Sequence, residues 1–504
     1  MSWLDILARA RSTPDEPAVV DADGELPWHE FVALVERAAS RLLAVAPGHG
    51  ERVAVVGDNA AATLVTHLAG LLAGVGTVAT SRQLTAREMA EQFADAGVVA
   101  AVTGPVGRDA TAAAGDGLRA VVVHGTEPAP DTVDWTEWLS APADPIPPDR
   151  PAMPPLVYTS GTTGRARGTE VRWTEDVPAT ATEYLTAIAS HFPPGPHLVA
   201  GPLQHNGPLT AIRHLARGET VVVLPRFDPL LCLRWIDRYR VTSSVMVPTH
   251  FQRLLAVERD RYDVSSLRLV SHTGSACPPA VKRAMIDWFG PVLVESYGAS
   301  EVGTVTRIAS DEWLARPGSV GRTVAPFAAI AVDDDGRPLP AGTVGLLAFR
   351  APAGRGARYH ADPEKTRSAY LAPNLFTLGD VGYVDAEGFV FITDRAADMV
   401  VSGGVNLYPA ESEAVLRQHP GVADVAVIGV PDPDLGEALR ALVVPRDAHL
   451  DVVDLARFCR TRLAGYKCPK TYELATELAR NAMGKLDKRA LRRPYWDTDR
   501  TIAG

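Results

Sequence analysis

The residues best suited to chemistry stand together between Leu156 and Gly168, in the run Leu-Val-Tyr-Thr-Ser-Gly-Thr-Thr-Gly-Arg-Ala-Arg-Gly. An apolar strand leads into a loop with hydroxyls at Thr159, Ser160, Thr162 and Thr163 and glycines at Gly161, Gly164 and Gly168. Glycines let the backbone approach a phosphate, and exposed amides and hydroxyls then donate to its oxygens. Arg165 and Arg167 add charge and forked donors. The bland alternative is a flexible surface hairpin, and the density of hydroxyls between glycines argues against it. No Gly-Lys-Ser/Thr follows at P-loop spacing, so this is phosphate binding of another kind.

Four further segments follow in order: Glu295-Ser-Tyr-Gly-Ala-Ser-Glu301, Phe376-Thr-Leu-Gly-Asp380, Asp394-Arg-Ala-Ala-Asp398 running on to Ser402-Gly-Gly-Val-Asn-Leu-Tyr-Pro-Ala-Glu411, and Asn481-Ala-Met-Gly-Lys485. With the loop at 158–168, this series resembles the adenylate-forming enzymes: acyl- and aryl-CoA ligases, luciferases and peptide-synthetase adenylation domains. Coverage is nearly the full chain. The departures are specific. Ala166 and Arg167 stand where the family has proline and lysine, Ser300 where it has threonine, and Ala397 where Lys or Asp is usual.

The resemblance implies a two-step reaction. A carboxylate attacks the α-phosphate of ATP to give an acyl-AMP anhydride and pyrophosphate, and the thiol of coenzyme A then displaces AMP. Because an anion meets an anion, catalysis is mostly positioning and charge stabilisation. The implied roles follow residue by residue. Thr159, Ser160, Gly161, Thr162, Thr163, Gly164 and Arg167 cradle phosphate. Glu301 holds Mg²⁺, for which a carboxylate is the right hard ligand, and Ser300 touches the α-phosphate. Gly274, Ser275, Ala276, Ser296, Tyr297 and Gly298 line AMP, and Asp380 and Arg395 hold the ribose. Lys485 reaches the α-phosphate from the small domain. Ala397 is the hinge, and Ser402, Gly403 and Gly404 wall the thiol channel, where a side chain would obstruct the arm. Arg462, Lys467 and Lys470 are candidates for the CoA nucleotide, with a solvated face as the plainer reading.

Gly201-Pro-Leu-Gln-His-Asn-Gly-Pro208 falls where the family places an acyl-pocket segment, and His-Asn-Gly-Pro is similar to ligases for bulky cyclic acids of steroid or terpenoid type. His205, Asn206, Gly207, His250, Gly298 and Ala299 are the expected lining. Two alternatives stand beside a complete ligase. The loop departures could confine the enzyme to thioesterifying a preformed acyl-adenylate, because Arg and Lys are not interchangeable at a tight phosphate site. The acceptor could also be a carrier protein, the weaker alternative since no carrier domain is fused.

The elements that must position these residues alternate. Residues 26–46 form an amphipathic helix with Phe31, Leu34, Val35, Ala38 and Leu42 on one face. Strand and helix patterns then succeed one another to residue 125, a proline-dense connector spans 141–155, and five short apolar runs between 196 and 301 each end in Gly, Pro, Ser or His. Ligands collect at such strand ends in open α/β sheets. Residues 340–393 read as antiparallel strands. The expected fold is therefore α/β: a large N-terminal domain (1–394) of doubly wound mixed sheets plus a β-subdomain, and a small mobile α+β C-terminal domain (395–504) with its hinge near 395–398.

A net charge of -10 offers no nucleic-acid footprint. The uncharged run from Asn59 to Ser81 reads as a buried helix and strand rather than a membrane span. Cys232, Cys277, Cys459 and Cys468 lack metal spacing and read as reduced thiols in a cytoplasmic protein. Cys277, after a Gly-Ser-Ala turn, is a candidate nucleophile with a buried thiol as the default. Partners are a small carboxylic acid, ATP and CoA; relatives of this kind allow a homodimer.

Overall fold

The computed structural model describes residues 3–142, 145–147, 149–159, 167–189, 192–274, 277, 279–333, 335–395, 400–407, 409–446, 450–479 and 488–496. Three sheets organise them. The first has seven strands in the order Val133–Asp134, Ala120–Val123, Val98–Thr103, Arg52–Val56, Gly76–Thr80, Leu156–Thr159 and Arg167–Glu170. All its pairings are parallel except the last, so the phosphate loop joins an antiparallel edge pair in which Thr159 faces Arg167.

The second sheet has fourteen strands. Its parallel half runs through Pro17–Val20, Val221–Val223, His197–Val199, Ser243–Met246, Leu269–His272 and Leu293–Ala299. At Leu293–Ala299 it turns antiparallel and continues through Gly303–Ala309, Ser319–Thr323, Phe389–Arg395, Leu375–Val384, Gly345–Arg350 and Ala328–Val332. The antiparallel strands expected as a β-subdomain thus extend the parallel sheet without a break. The strand of the switch carries Glu295 to Ala299.

Helices Trp28–Val45 and Ala61–Ala73 lie between the two sheets, sharing one core with Val53, Val102 and Val157 of the first and Val19, Val199 and Val221 of the second. Phe31, Val35, Ala38 and Leu42 are fully buried, on the face that the helical period marks out. This helix begins two residues later than expected, because Glu25–Pro27 pairs with Pro17–Val20 as a short strand. The uncharged run becomes helix Ala61–Ala73 and strand Gly76–Thr80. No helix among the described residues is long and apolar enough to cross a membrane.

The small C-terminal domain has its own five-stranded sheet: Val405–Leu407, Val400–Ser402, Gly436–Pro445 and Val422–Asp432 in order, with Thr471–Leu474 beside Gly436–Pro445. Helices Pro409–Leu416 and Val452–Arg460 pack on it around Leu416, Val425, Val443, Leu455 and Cys459. All four cysteines are free and buried. Burial pushes the Cys277 thiol up to about 12, in keeping with the buried thiol expected by default.

Candidate active site

The phosphate-loop residues Ser160, Gly161, Thr162, Thr163 and Gly164 lie outside the described residues, as does the side chain of Thr159. The walls that hold the loop are described. Tyr158 donates to Asp95 Oδ2 at 2.7 Å. Gly168 packs against the Tyr158 ring, where an added Cβ would sit 3.1 Å from Cζ, and its carbonyl accepts from the His360 amide at 2.8 Å. Arg167, expected at the phosphates, pairs with a carboxylate: its Nη1 lies 2.9 Å from Asp362 Oδ2. Asp362 also caps helix Pro363–Ser368. Sequence reasoning missed Asp362, which stands 195 positions from its partner with no local pattern to mark it.

The switch strand Leu293–Ala299 and the antiparallel Leu375–Val384 bring the expected nucleotide residues together. The Tyr297 hydroxyl donates to Asp380 Oδ2 at 2.6 Å, and Asp380 is buried. Asp380 faces Arg395 in register on the adjoining strand; the side chain of Arg395 lies outside the described residues. Gly298 has to be glycine, since a Cβ would lie 2.0 Å from the Gly303 carbonyl oxygen across the hairpin. At the hairpin turn, Glu301 Oε1 accepts from the Tyr359 hydroxyl at 2.7 Å. Ser296, on the strand, and Ser300, at the turn, are both partly exposed.

Among the described residues no group of three or more His, Cys, Asp or Glu side chains could hold a metal ion. Glu301 is a lone carboxylate with one oxygen engaged by Tyr359. That set fits Mg²⁺ carried in on nucleotide phosphates, because this ion keeps its waters and takes one or two carboxylates beside phosphate oxygens.

Three segments converge where the thiol channel is expected. Gly403 and Gly404 make the turn between Val400–Ser402 and Val405–Leu407, with φ of 57° and 81°. The Gly403 amide donates to the Leu435 carbonyl at 2.8 Å. A Cβ on Gly404 would meet Val247 Cγ2 at 2.9 Å, and one on Gly274, whose φ is +90°, would lie 4.0 Å from the Gly404 carbonyl oxygen. The small domain therefore sets its glycine turn against the carboxyl ends of the parallel strands. Ser275, Ala276, Ala397 and Lys485 lie outside the described residues.

The segment expected to line the acyl pocket is pinned by Asn59, which sequence reasoning did not single out. Its Nδ2 donates to the Gly201 and Leu224 carbonyls at 3.0 and 2.8 Å, and its Oδ1 accepts from the Leu203 amide at 3.0 Å. Its only signal was its place just after a strand that ends in a turn. His205 precedes the short helix Asn206–Leu209, and Gly207 packs within 3.2 Å of Val245 through a notional Cβ. The His250 ring stacks on Phe227 at 3.9 Å and 10°. Burial lowers His205 to about 4 and His250 to about 3, so both are neutral near pH 7. His250 Nδ1 and Asn206 Oδ1 are buried without hydrogen-bond partners.

The basic candidates are engaged elsewhere. Lys467 Nζ lies 3.0 Å from Glu411 of its own domain and 3.3 Å from Glu88 of helix Ala86–Ala96 in the large domain. It is buried, which corrects the solvated-face reading. Lys470 pairs with Asp432 at 3.0 Å, and the Arg462 guanidinium stacks 3.6 Å from the Phe458 ring. A second buried cation, Lys282, went unread because it sits in the amphipathic pattern of helix Pro279–Phe289. It lies 2.5 Å from Glu295 and over the Trp313 ring, with His272 3.8 Å from the same carboxylate. Burial pushes Lys282 down and Glu295 up, each opposed by the other's charge.

Comparison with known proteins closes the reading. The AMP-binding enzyme family matches residues 6–356, and the AMP-binding enzyme C-terminal domain matches 411–485. A feruloyl-CoA synthase from Amycolatopsis sp is 34% identical over 98% of both chains. A 3-[(3aS,4S,7aS)-7a-methyl-1,5-dioxo-octahydro-1H-inden-4-yl]propanoyl:CoA ligase from Mycobacterium tuberculosis is 33% identical over 96% of both. Among solved structures, the amide bond synthetase McbA from Marinactinospora thermotolerans superposes with a TM-score of 0.82 at 28% identity, covering 98% of this chain and 100% of that one. The o-succinylbenzoate CoA synthetase of Bacillus subtilis superposes at 0.80 as a double mutant with a product analogue, at 26% identity over 96% of this chain and 97% of that one. The same enzyme with its acyl-adenylate intermediate reaches only 0.64. The chain belongs to the AMP-binding, adenylate-forming enzymes, in the company of the acyl-CoA ligases.

Proposed function

We propose that this enzyme converts a hydrophobic, bulky cyclic or terpenoid-like carboxylic acid to its CoA thioester through an acyl-AMP. The observation that supports the reading is the meeting of the glycine turn Gly403–Gly404 with Gly274 and Val247, which brings the small domain onto the strand ends of the large one. The acid class rests on small lining residues, Gly207, Gly298 and Ala299, on the flat His250–Phe227 stack, and on likeness to a ligase whose named substrate is a bicyclic propanoate.

In this reading Asp380 and Arg395 hold the ribose, with Tyr297 fixing the Asp380 carboxylate. Residues 159–164 cradle the phosphates. Glu301 would hold Mg²⁺, which supplies charge neutralisation on the nucleotide phosphates, while Tyr359 sets the orientation of Glu301. Lys485 approaches the α-phosphate when the small domain turns about a hinge near 395–398, the boundary of domains 1–394 and 395–504. A carboxylate oxygen then bonds to the α-phosphorus and the bond to pyrophosphate breaks. After the domain rotates back, the thiolate sulfur bonds to the acyl carbon, AMP departs with its oxygen, and the thiol proton passes to solvent. Neutral His205 and His250 keep the acyl lining free of cations that would trap the carboxylate. A cytoplasmic setting, where ATP and CoA are both available, belongs to the proposal.

One observation favours a second reading. Arg167 is tied to Asp362, which weakens its hold on phosphate and fits an enzyme that mainly thioesterifies preformed acyl-adenylates. Mass spectrometry separates the two. The protein is incubated with Mg-ATP, CoA and fatty, aromatic and polycyclic acids, beside matched acyl-adenylates with CoA alone. Acyl-CoA and AMP from a free polycyclic acid support the first reading. Product from the adenylates alone supports the second, and product only from linear fatty acids contradicts the assigned acid class.

A further inference from the structure

Two of the four cysteines meet inside the small domain. Cys459 lies in the last turn of helix Val452–Arg460, and Cys468 follows the short 3-10 turn Gly465–Lys467. The chain between them folds back on itself. The Leu463 amide donates to the Cys459 carbonyl at 2.8 Å, and the Cys468 sulfur lies 3.6 Å from the Ala464 carbonyl oxygen and 3.9 Å from that of Leu463. Both side chains belong to one buried cluster with Leu455 and Leu463, and the Cys468 thiol hydrogen-bonds the Cys459 sulfur. Strand Thr471–Leu474 brings the Tyr472 hydroxyl to the same sulfur.

The two thiols differ in character. The hydrogen bond from Cys468 holds Cys459 below the usual thiol range, and Tyr472 and the Arg462 charge add to this against the opposing effect of burial. Cys468 is pushed up, first by that same hydrogen bond and then by burial. One thiol thus stabilises its neighbour as the thiolate, the form that reacts with oxidants. Cys232 and Cys277 lie in the core of the large domain, where burial raises both. Cys468 keeps 9% exposure, an edge open to an oxidant little larger than water.

The pair adjoins the contact between domains. The Lys467 carbonyl accepts from Ser412 Oγ at 2.6 Å, and its ammonium spans Glu411 and Glu88. A disulfide needs its sulfurs about 2.05 Å apart. Closing that gap draws Cys468 from the carbonyls of 463 and 464 and pulls on Lys467 beside it.

We propose that Cys459 and Cys468 form a reversible disulfide when the protein meets hydrogen peroxide, and that closing it loosens the small domain from helix Ala86–Ala96. In the first step the Cys459 sulfur attacks a peroxide oxygen: the S–O bond forms, the O–O bond breaks, and the Cys459 proton leaves with the departing oxygen as water. In the second the Cys468 sulfur attacks the sulfenic sulfur: the S–S bond forms, the S–O bond breaks, and the Cys468 proton leaves with that oxygen as a second water. The two sulfurs give up two electrons, which the peroxide takes. A dithiol reductant reverses the change by exchange.

The test uses the full chain with hydrogen peroxide as the probe. After treatment the remaining thiols are alkylated, the protein is digested without reduction, and the peptides are weighed. The expected product is a linked pair carrying 459 and 468, two hydrogens lighter than the free peptides and released by dithiothreitol. It should form at least about 10-fold faster than any oxidation at Cys232 or Cys277. Cys468→Ser should leave Cys459 as a sulfenic acid that a dione probe captures, with thermal melts checking that this one-atom change keeps the fold. Small-angle scattering of the oxidised wild type should depart from the reduced profile, while Cys468→Ser treated alike should keep it. Oxidation of Cys232 or Cys277 before any linked peptide appears overturns the bridge. A bridge that leaves the scattering unchanged overturns the switch.

Discussion

Lys282 and Glu295 set the strongest constraint at the scale of single residues. A cation 0% exposed and a carboxylate 7% exposed face each other at 2.5 Å, two positions before Tyr297 on the strand that carries the site. Removing one partner strands a buried charge, which costs about 3–5 kcal/mol, whereas replacing both with apolar groups is nearly neutral. Lys282→Met should therefore lower the unfolding free energy by about 4 kcal/mol in urea titration, and Lys282→Met with Glu295→Met should recover most of it. A single variant as stable as wild type contradicts this account. The pair also marks what the sequence left unreadable. In helix Pro279–Phe289 a lysine beside Val281, Met285 and Ile286 is indistinguishable from a surface lysine that covers the apolar face with its stem. Only its meeting with a residue of another element shows that it is inside. Arg167 with Asp362, and Tyr359 with Glu301, were hidden for the same reason, while the hydroxyl-and-glycine run at 158–168 announced itself because its whole pattern is local.

Glycine positions decide most at the scale of elements. The turn Gly403–Gly404 has to take left-handed φ values and approach Val247 at the same time. A methyl at 404 meets Val247 at 2.9 Å and imposes a backbone strain of about 1–2 kcal/mol. Gly404→Ala should therefore slow thioester formation and AMP release at least 10-fold while pyrophosphate release from acid and ATP continues, and acyl-AMP should accumulate in quenched samples. Equal loss of both steps would place the turn outside the thiol path. Much of the element pattern was legible. Helices Trp28–Val45 and Ala86–Ala96 follow the 3.6-residue period, and parallel strands such as Arg52–Val56 read as unbroken apolar runs because both faces are covered. The continuity of the fourteen-stranded sheet was not legible. Strand order depends on pairings between distant segments, such as Ser319–Thr323 with Phe389–Arg395, that no periodicity encodes.

At the scale of the whole molecule, Lys467 ties the two domains together between Glu411 and Glu88. Glu88 also forms the capping box of its helix with Thr85, a role that glutamine can keep. Glu88→Gln should thus leave the helix intact and weaken only the contact between domains. Small-angle scattering should move away from the wild-type profile, and thioesterification should fall by about 3–10-fold relative to adenylation, on the order of 1 kcal/mol of arrangement preference. An unchanged profile and ratio would count against such a latch.

Acid should act on the large domain as a unit. His67, His197, His214, His250 and His272 are each at most 9% exposed. Burial lowers the first, second and fourth to about 3 and the other two well below the usual value. The unfolded chain therefore takes up protons first as pH drops below about 6.5, so stability falls with pH, at up to ~1.4 kcal/mol per unit for each histidine. Five such groups exhaust a typical stability near about pH 5, and a circular-dichroism pH titration should show cooperative loss there. A native spectrum at pH 4 would mean that these rings are hydrated.

The most direct measurement follows one oxygen atom. The acid identified by the substrate panel is labelled with oxygen-18 in its carboxyl group and turned over with ATP and CoA, and the phosphorus products are weighed by mass spectrometry. Attack on the α-phosphorus predicts one label per turnover in AMP and none in pyrophosphate. Label in inorganic phosphate, with ADP as co-product, would mean that the acid attacks the terminal phosphate and would contradict the acyl-adenylate account.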